Sequence, residues 1–415
     1  MLLAFRSQFS VCHPTHGLPS DPLESAVMKP KMSQRLLNVQ APMIPVVGEW
    51  IAAHPGTISL AQGVVHYRSP DEALASAAEA ASTNPAVDRY ALVKGVDEFL
   101  EQINHKVSTE NGIDVSRQEC VVTCGSNMAF LNAVLAVADV GDEVVLLSPF
   151  YFNHEMAIEI AGCRAVTVAT DESYQIDVAA IESAISDRTR AVVTVSPNNP
   201  TGAVYTREAL SAVNQLCRER GVYHISDEAY EYFVYDDQEH FSPGSIADSH
   251  DHTISLFTLS KAYGMAGWRC GYMTIPSHLE EAVKKIQDTN LVCPPIINQI
   301  AGAAAMQLGP AWCQPRIEPF QQVRDLVIDE LNALAGRCHV PKPNGAFYAL
   351  IQLNTNKQDL EIVEALIRDF GIGLMPGSTF GVTAGCALRI AYGALDADTV
   401  ATGMERLTKG LKALI

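Results

Sequence analysis

Residues 258–273, TLSKAYGMAGWRCGYM, combine a lysine, two hydroxyl side chains and an arginine directly after an apolar run. Lys261 lies between this run and a glycine-containing turn, so we expect its side chain to be buried. Burial disfavours the charged ammonium and lowers its pKa, which leaves a nucleophilic amine suited to imine chemistry. Thr258, Ser260 and Arg269 provide two hydroxyl donors and a planar guanidinium, which suit a phosphate group. Taken singly, a lysine or an arginine is more typical of a solvated surface, so the prediction depends on the combination.

Two more polar segments follow predicted strands. In SDEAYEYFVYD, residues 226–236, Asp227 and Tyr230 stand three positions apart at the carboxyl end of a strand, where open α/β sheets bind ligands. Asp227 could equally be the N-cap of a turn. In SPNNPTGAVY, residues 196–205, Asn199 either offers amide donors to a ligand or simply belongs to a turn. Both alternatives stay open for both segments.

The segment CGSNMAF, residues 124–130, is a predicted junction between a strand and a helix. Gly125 permits a close approach of the backbone, and the N–H groups around Ser126 and Asn127 open the helix, which is a typical cradle for phosphate. One glycine alone is weak support. The sequence contains neither the GxGxxG dinucleotide fingerprint nor the GxxxxGK[ST] P-loop, so it does not favour a nicotinamide or nucleoside triphosphate site.

A regular alternation of elements must position these segments. From about residue 119, short apolar β-branched runs alternate with amphipathic helical patterns, which is typical of βαβ units. Because the runs are almost continuously apolar, we expect a mostly parallel sheet covered on both faces, in a large α/β domain over residues 64–306. The seven predicted strands are 119–124, 143–148, 165–169, 191–196, 222–227, 254–259 and 270–275.

The remaining sequence predicts a smaller α+β domain, made of residues 32–63 and 307–415. Its later predicted helices cover about 311–335, 358–370 and 396–412. Residues 1–31 have neither a secretory signal pattern nor the arginine-rich composition of a transit peptide, so we predict a disordered N-terminal extension.

Composition excludes several classes of partner. Acidic residues outnumber basic residues by 47 to 29, and the net charge of −18 disfavours binding to nucleic acid or to anionic membranes. The ten cysteines form no CxxC pair and no zinc-type cluster with histidine, so we expect no metal site. Scattered, reduced cysteines are typical of a cytoplasmic protein.

In combination, four motifs resemble those of class I/II aminotransferases of the aspartate-aminotransferase type. They are the NPTG turn, the D-x-A-Y segment, the S-K pair with an arginine eight residues later, and a late RIAYG segment. The resemblance covers about residues 40–415. It implies the fold-type I architecture, pyridoxal 5′-phosphate (PLP) as cofactor, and ping-pong transamination between an L-amino acid and a 2-oxo acid.

The resemblance also implies a role for each motif residue around the cofactor. Lys261 would form the Schiff base with PLP and later shuttle a proton, and Asp227 would pair with the pyridine nitrogen. Tyr230 and Asn199 would hydrogen-bond the phenolic oxygen. Tyr151 would stack on the ring, although an aromatic residue after a strand is more often core. The phosphate would be held by Ser126, Asn127, Thr258, Ser260 and Arg269, and by the partner subunit's Tyr90 in a homodimer.

Three residues are implied to contact the substrate. Arg389, in ALRIAYG, would bind the α-carboxylate as a bidentate pair. An arginine within an apolar strand pattern is costly unless it is paired, which favours this role even before the family is considered. Gly63, in SLAQGVVHY, would lie in a loop that closes over the substrate, and Asn199 would face the same space.

The sequence departs from the aspartate-specific members in one respect. They carry a second arginine in an RPxYS-type segment, whereas the corresponding region here, residues 288–299, contains none. The loop at residues 63–67 instead offers two valines, a histidine and a tyrosine, which suit neutral, aromatic or sulfur-containing side chains. The sequence QGVVHY resembles that of the plant and cyanobacterial branch that acts on methionine and aromatic amino acids.

Other functions of the same scaffold stay open at this point. A β-lyase acting on cysteine conjugates, or an enzyme similar to aminocyclopropane-carboxylate synthase, would use the same lysine, aspartate and arginine. A non-catalytic, aminotransferase-like regulator is a remote alternative. It would need a DNA-binding module, and the segment before residue 40 is short and lacks a basic helix pattern.

Overall fold

The computed structural model describes residues 31–415, so the predicted extension lies outside the described residues apart from Lys31. The helices are α1 (Arg35–Asn38), α2 (Met43–Ala53), α3 (Asp71–Thr83), α4 (Asp97–Thr109), α5 (Ser126–Val137), α6 (Phe152–Ile160), α7 (Val178–Ala184), α8 (Arg207–Arg220), α9 (Glu280–Asn290), α10 (Ile296–Met306), α11 (Gly309–Ile317), α12 (Pro319–Asn332), α13 (Asp359–Phe370) and α14 (Ala397–Leu414). The strands are β1 (Ile58–Ser59), β2 (Gln118–Thr123), β3 (Glu143–Ser148), β4 (Arg164–Ala169), β5 (Thr189–Val195), β6 (Tyr223–Asp227), β7 (Thr253–Thr258), β8 (Gly271–Pro276), β9 (Cys338–His339), β10 (Tyr348–Leu353), β11 (Ile372–Gly373), β12 (Met375–Pro376) and β13 (Cys386–Ala391).

A seven-stranded sheet with the order β2-β8-β7-β6-β5-β3-β4 forms the larger part of the molecule. Strand β8 runs antiparallel to both of its neighbours, and the other pairs are parallel. Each strand lies within two residues of its predicted position. The predicted α/β fold with a seven-stranded, mostly parallel sheet is therefore confirmed.

Helices cover both faces of this sheet. Successive side chains of a strand point to opposite faces. Leu146 of β3 joins a buried cluster with Phe130 of α5, whereas its neighbour Leu147 joins a second cluster with Leu210 of α8. This double burial explains why the strands read as continuous apolar runs.

A second sheet with the order β12-β13-β10-β9 is antiparallel, and it places Leu350 of β10 opposite Arg389 of β13. Strand β1 pairs with β11 in a separate two-stranded sheet, and α2 contacts α13. The helical stretch predicted at 311–335 forms two helices, α11 and α12, rather than one. Pro319 begins α12, because it has no N–H to continue the hydrogen bonding of α11.

No helix among residues 31–415 combines the length and the apolar character needed to cross a membrane.

Candidate active site

A cavity of about 350 Å³ opens at the carboxyl edge of the seven-stranded sheet. Ligand sites of open α/β sheets lie at this edge, because the loops that follow parallel strands meet there. Val195, Ala229 and Ala266 line the cavity without having been singled out in the motifs. The predicted site residues that line it are Ser126, Asn127, Tyr151, Asn199, Asp227, Tyr230, Thr258, Ser260, Lys261 and Arg269.

Lys261 follows β7 and is half-buried, because its side chain faces the cavity while protein encloses the cavity itself. Burial lowers the pKa of its amine to about 8, and the charges of Arg389 and Arg269 act in the same direction, against Asp227. The amine donates a 2.6 Å hydrogen bond to the carbonyl oxygen of Gly63. A large fraction of this amine is therefore neutral and nucleophilic in mildly alkaline solution.

Arg269 adopts an unusual backbone conformation beside the start of α5. Its φ of 54° lies in the left-handed region, which a non-glycine residue adopts at a cost of order 1–3 kcal/mol and mostly at functional sites. The side chain donates to the carbonyl oxygens of Cys124 at 3.1 Å and Ala266 at 2.8 Å. A Cβ on Gly125 would lie 2.3 Å from the guanidinium, so only glycine fits there. The conformation and the missing Cβ together place the guanidinium against the beginning of α5.

Hydroxyl groups and helix N–H groups surround this guanidinium. Thr258 Oγ1 and Ser260 Oγ lie 2.8 Å apart, and Arg269 Nη1 lies 3.5 Å from Ser260 Oγ. Helix α5 begins at Ser126, with its first N–H groups free of intrahelical partners and its positive dipole end at the cavity. A guanidinium, two hydroxyls and a helix N-terminus form a site suited to a phosphate group.

Asp227 is the last residue of β6 and is almost completely buried. Its Oδ1 accepts a hydrogen bond from the backbone N–H of Ala229. One of its two oxygens therefore caps the following turn, as the alternative interpretation expected. Its Oδ2 lies 3.0 Å from Nε2 of buried His154, in a contact that lacks hydrogen-bond geometry, and the His154 ring stacks on Phe130. A carboxylate held between these neighbours is fixed in direction at the cavity wall.

Sequence reasoning missed His154. The sequence clue was a polar residue within α6, three positions after Tyr151. Its partner Asp227 lies 73 positions further along the chain, so the clue alone could not identify the contact. The hydroxyl of Tyr151 accepts a 2.8 Å hydrogen bond from Asn153. Asn127 and Tyr151 both line the cavity.

Arg389 lies on β13 with only 1% of its surface exposed. Nη1 donates to Asn199 Oδ1 at 3.1 Å, Nη2 donates to the carbonyl oxygen of Ala61, and Nε has no hydrogen-bond partner in the part of the chain that the structure describes. The guanidinium is stacked between the rings of Tyr348 and Phe380, at 4.8 and 4.7 Å. Burial lowers its pKa. Within residues 31–415, no carboxylate forms an ion pair with this charge.

Asn199 links this arginine to Tyr230. The Nδ2 group of Asn199 lies 3.3 Å from the Tyr230 hydroxyl, while its Oδ1 faces Arg389. The Tyr230 hydroxyl also lies 2.7 Å from the hydroxyl of Tyr348, a second residue that the motifs did not reveal. Arg389, Asn199 and Tyr230 therefore form a continuous chain of polar contacts that ends at the cavity.

Gly63 and Tyr90 have contrasting positions. Gly63, like Arg389, does not itself line the cavity; its carbonyl oxygen accepts the hydrogen bond of Lys261 Nζ, and a Cβ on Gly63 would lie 2.3 Å from the Tyr348 hydroxyl oxygen. Tyr90 is 84% exposed and lines a separate surface cavity with Leu92 and Ile296. Tyr90 is therefore not brought into the site of its own chain.

The sequence and the structure are both similar to those of known aminotransferases. The chain is 31% identical to an aromatic aminotransferase of Arabidopsis thaliana over 393 residues, which span 92% of this chain and 97% of the relative. It is 32% identical to an aspartate/prephenate aminotransferase of Thermus thermophilus, over 86% of this chain and 89% of the relative. The solved structure of the Thermus thermophilus aspartate aminotransferase with maleate superposes with a TM-score of 0.85 at 29% identity, over 92% of this chain and 100% of that chain.

A family profile gives the same result. The profile of the family described as aminotransferase class I and II matches residues 55–407, which include the motif segments from Gly63 to Arg389. Enzymes of this family generally use PLP, act on amino acids and 2-oxo acids, and are dimeric. The predicted membership is confirmed: the chain belongs to the class I and II aminotransferase family and is an aminotransferase.

Proposed function

We propose that this chain binds PLP in the cavity beside Lys261 and transfers the amino group of a neutral, aromatic or sulfur-containing L-amino acid to a 2-oxo acid. One observation carries the proposal. Arg389 is a fully buried cation without an acidic partner in residues 31–415, it bonds the cavity-lining Asn199, and its charge helps to lower the pKa of Lys261 to about 8. A ligand carboxylate would supply the missing partner.

The chemistry of the surrounding residues fits PLP group by group. The cluster of Ser260, Thr258, Arg269 and the α5 N-terminus suits a phosphate dianion. Asp227 offers a buried carboxylate to a pyridinium nitrogen, and Tyr230 offers a hydroxyl to a phenolic oxygen. When bound, PLP supplies an electron-withdrawing ring that makes the α-hydrogen of an attached amino acid acidic.

The protein's own groups then bind, orient and move a proton. Arg389 holds the α-carboxylate through its free Nε and the adjacent Nη, which fixes the direction of the Cα–H bond. Asn199 keeps the guanidinium in place through its Oδ1. The Lys261 amine, which can be neutral near pH 8, accepts the α-proton at Nζ and later returns it. The loop at Gly63 positions Nζ by a hydrogen bond and limits the access of water.

Aromatic and apolar groups near the loop support the proposed substrate class. The His66 ring stacks on Phe320 at 5.4 Å, and the Tyr67 ring contacts both Phe320 and Trp312. Residues 288–299 contain no arginine that could bind a second carboxylate. The Arabidopsis thaliana relative named aromatic aminotransferase is consistent with an aromatic donor for this chain.

A homodimer with shared sites is part of the proposal. Tyr90 and Leu92 are 84% and 68% exposed, and they flank a surface cavity of about 400 Å³ that also touches α10. Large exposed apolar side chains around a cavity are typical of a surface that a protein partner covers. In a twofold dimer, the partner subunit's Tyr90 would reach the phosphate site of the neighbouring chain.

The test is spectroscopic. The protein purified with PLP should be yellow, and L-phenylalanine and L-methionine should bleach the band faster than L-aspartate when each is added without a 2-oxo acid. A colourless protein would refute the proposed cofactor. Fastest bleaching by L-aspartate would refute the substrate class, and continuous release of pyruvate and ammonia from a cysteine conjugate without an acceptor would indicate a β-lyase instead.

A further inference from the structure

Tyr348 is a fully buried tyrosine of β10 with no role in the mechanism above. Its hydroxyl lies 2.7 Å from that of Tyr230, and its ring lies 4.8 Å from the guanidinium carbon of Arg389. Tyr348 does not line the cavity, and its hydroxyl meets the cavity wall through the hydroxyl of Tyr230, which does line it. It therefore lies between the proposed carboxylate-binding arginine and the proposed cofactor-binding tyrosine.

We propose that Tyr348 is a positioning residue, an inference that rests on the proposed function. Its hydroxyl donates a hydrogen bond to Tyr230 and thereby keeps the proton of Tyr230 directed at the phenolic oxygen of bound PLP. The two hydroxyls share only one hydrogen bond, so one of their two protons must find another acceptor. The direction of that shared bond follows from the groups around it.

The Asn199 amide fixes the first donor to Tyr230. Arg389 Nη1 can only donate, so the atom of Asn199 that faces it must be Oδ1. The Nδ2 group then faces the Tyr230 hydroxyl at 3.3 Å and can only donate to it. The Tyr230 oxygen therefore accepts one hydrogen bond from Asn199 already.

The surroundings of Tyr348 fix the second donor. Tyr230 is the one hydrogen-bond partner of the Tyr348 hydroxyl within residues 31–415, and Gly63 is packed so closely that a Cβ there would lie 2.3 Å from that oxygen. If Tyr348 accepted from Tyr230, its own proton would stay buried without an acceptor, which is unfavourable because the lost hydrogen bond to water is not replaced. If it donates, the Tyr230 proton is free to point into the cavity and bond a ligand oxygen.

The hydroxyl of Tyr348 keeps its proton near neutral pH. Burial raises the pKa of Tyr348 to about 12, while Arg389 partly opposes the increase. Two donors on the Tyr230 oxygen make its own proton a stronger donor, because hydrogen bonds in a chain polarise one another. A stronger donor stabilises negative charge on the phenolic oxygen of PLP, so the nitrogen that joins Lys261 to the cofactor loses its proton at a lower pH.

The experiment is a pH titration of the visible absorption of the holoenzyme. In Tyr348→Phe, the transition pH should rise by about 0.5 unit, which corresponds to the loss of about 0.7 kcal/mol of stabilisation of the phenolic oxygen. Tyr230→Phe should raise it further, because that variant loses the direct donor. Tyr174→Phe is the matched control, since Tyr174 is a buried tyrosine whose hydroxyl bonds the backbone of Leu350 away from the cavity, and it should leave the transition pH unchanged.

A second substitution keeps the test independent of folding. Site-specific replacement of Tyr348 by 3-fluorotyrosine preserves the shape of the ring and makes the phenol a better donor, so the transition pH should fall. A purely structural residue would not shift the transition in opposite directions in the two proteins. An unchanged transition in both, or shifts of the reverse sign, would overturn the proposal, whereas a wild-type protein without a titrating visible band would overturn the proposed cofactor as well.

Discussion

Arg324 and Arg389 are both completely buried arginines, yet their surroundings differ in kind. Arg324, on α12, forms ion pairs with Asp236 at 2.9 Å and Asp325 at 2.7 Å and donates to the carbonyl oxygen of Pro343. Arg389 has a side-chain amide and a backbone carbonyl as partners, and its Nε is unpaired. The fold balances the charge of Arg324, and we propose that a ligand balances the charge of Arg389.

Two lysines, one buried and one half-buried, show the same contrast. Lys106 of α4 is 5% exposed and bonds both Glu231 and Asn111, so its charge is balanced by the protein. The half-buried Lys261 bonds a single carbonyl oxygen among the described residues, and its pKa is lowered. An unbalanced buried charge is costly, and its persistence indicates function rather than stability. The comparison predicts that the balanced residues matter for stability and the unbalanced residues for activity.

We expect the largest effect on activity from substituting the two lysines. Lys261→Ala should abolish the yellow colour and lower transamination by at least about 10⁴-fold, because it removes the nucleophile and the proton carrier together. Lys106→Met is the matched control. It should lower the melting temperature, because Glu231 loses its partner, while the folded fraction stays yellow and active. An equal loss of activity in the two variants would contradict the distinction between balanced and unbalanced charges.

The arginine pair predicts a difference in stability. Arg324→Met should lower the free energy of unfolding by about 1–3 kcal/mol, since the buried carbonyl oxygen of Pro343 loses its donor, while Lys342 still pairs with Asp236. Arg389→Met removes a charge that has no counter-ion in the described chain, so its stability should fall less or should rise. Denaturant unfolding of both apoproteins measures the difference. A larger loss for Arg389→Met would mean that its charge is balanced after all.

The smallest effect concerns pH. Because the pKa of Lys261 is lowered to about 8, its neutral fraction should rise through that pH and then level off. The rate at which the apoenzyme takes up PLP should therefore increase about tenfold from pH 7 to pH 9, as the fraction of neutral amine grows. An ordinary lysine would give an increase close to a hundredfold over the same interval, without levelling off. Stopped-flow absorbance across this interval distinguishes the two outcomes.

Sequence reasoning found the features that local patterns encode. Strand β3 has the predicted bounds, because double burial gives it a continuous apolar run between turn residues. The motif residues after β5, β6 and β7 were grouped correctly in space, since parallel strands bring their carboxyl ends to one edge. Their roles around PLP and the substrate stay predictions.

The features that sequence reasoning missed depend on contacts between distant residues. His154 of α6 meets Asp227 of β6 across 73 positions of the chain, and Tyr348 meets Tyr230 across 118 positions. Both residues read locally as ordinary core. The distinction between Arg324 and Arg389 is likewise invisible in sequence, because Asp236 lies 88 positions before the arginine that it balances.

We propose that the unbalanced charge of Arg389 binds the carboxylate of the substrate. The most direct measurement is the dissociation constant of 3-phenylpropanoate, a carboxylate without an amine, from holoenzymes of the wild type, Arg389→Met and Arg324→Met. We predict that the constant rises about 100-fold or more in Arg389→Met and stays near the wild-type value in Arg324→Met, because only the first variant removes a partner of the bound carboxylate. Equal affinity in all three proteins, or equal weakening in the two variants, would contradict the claim.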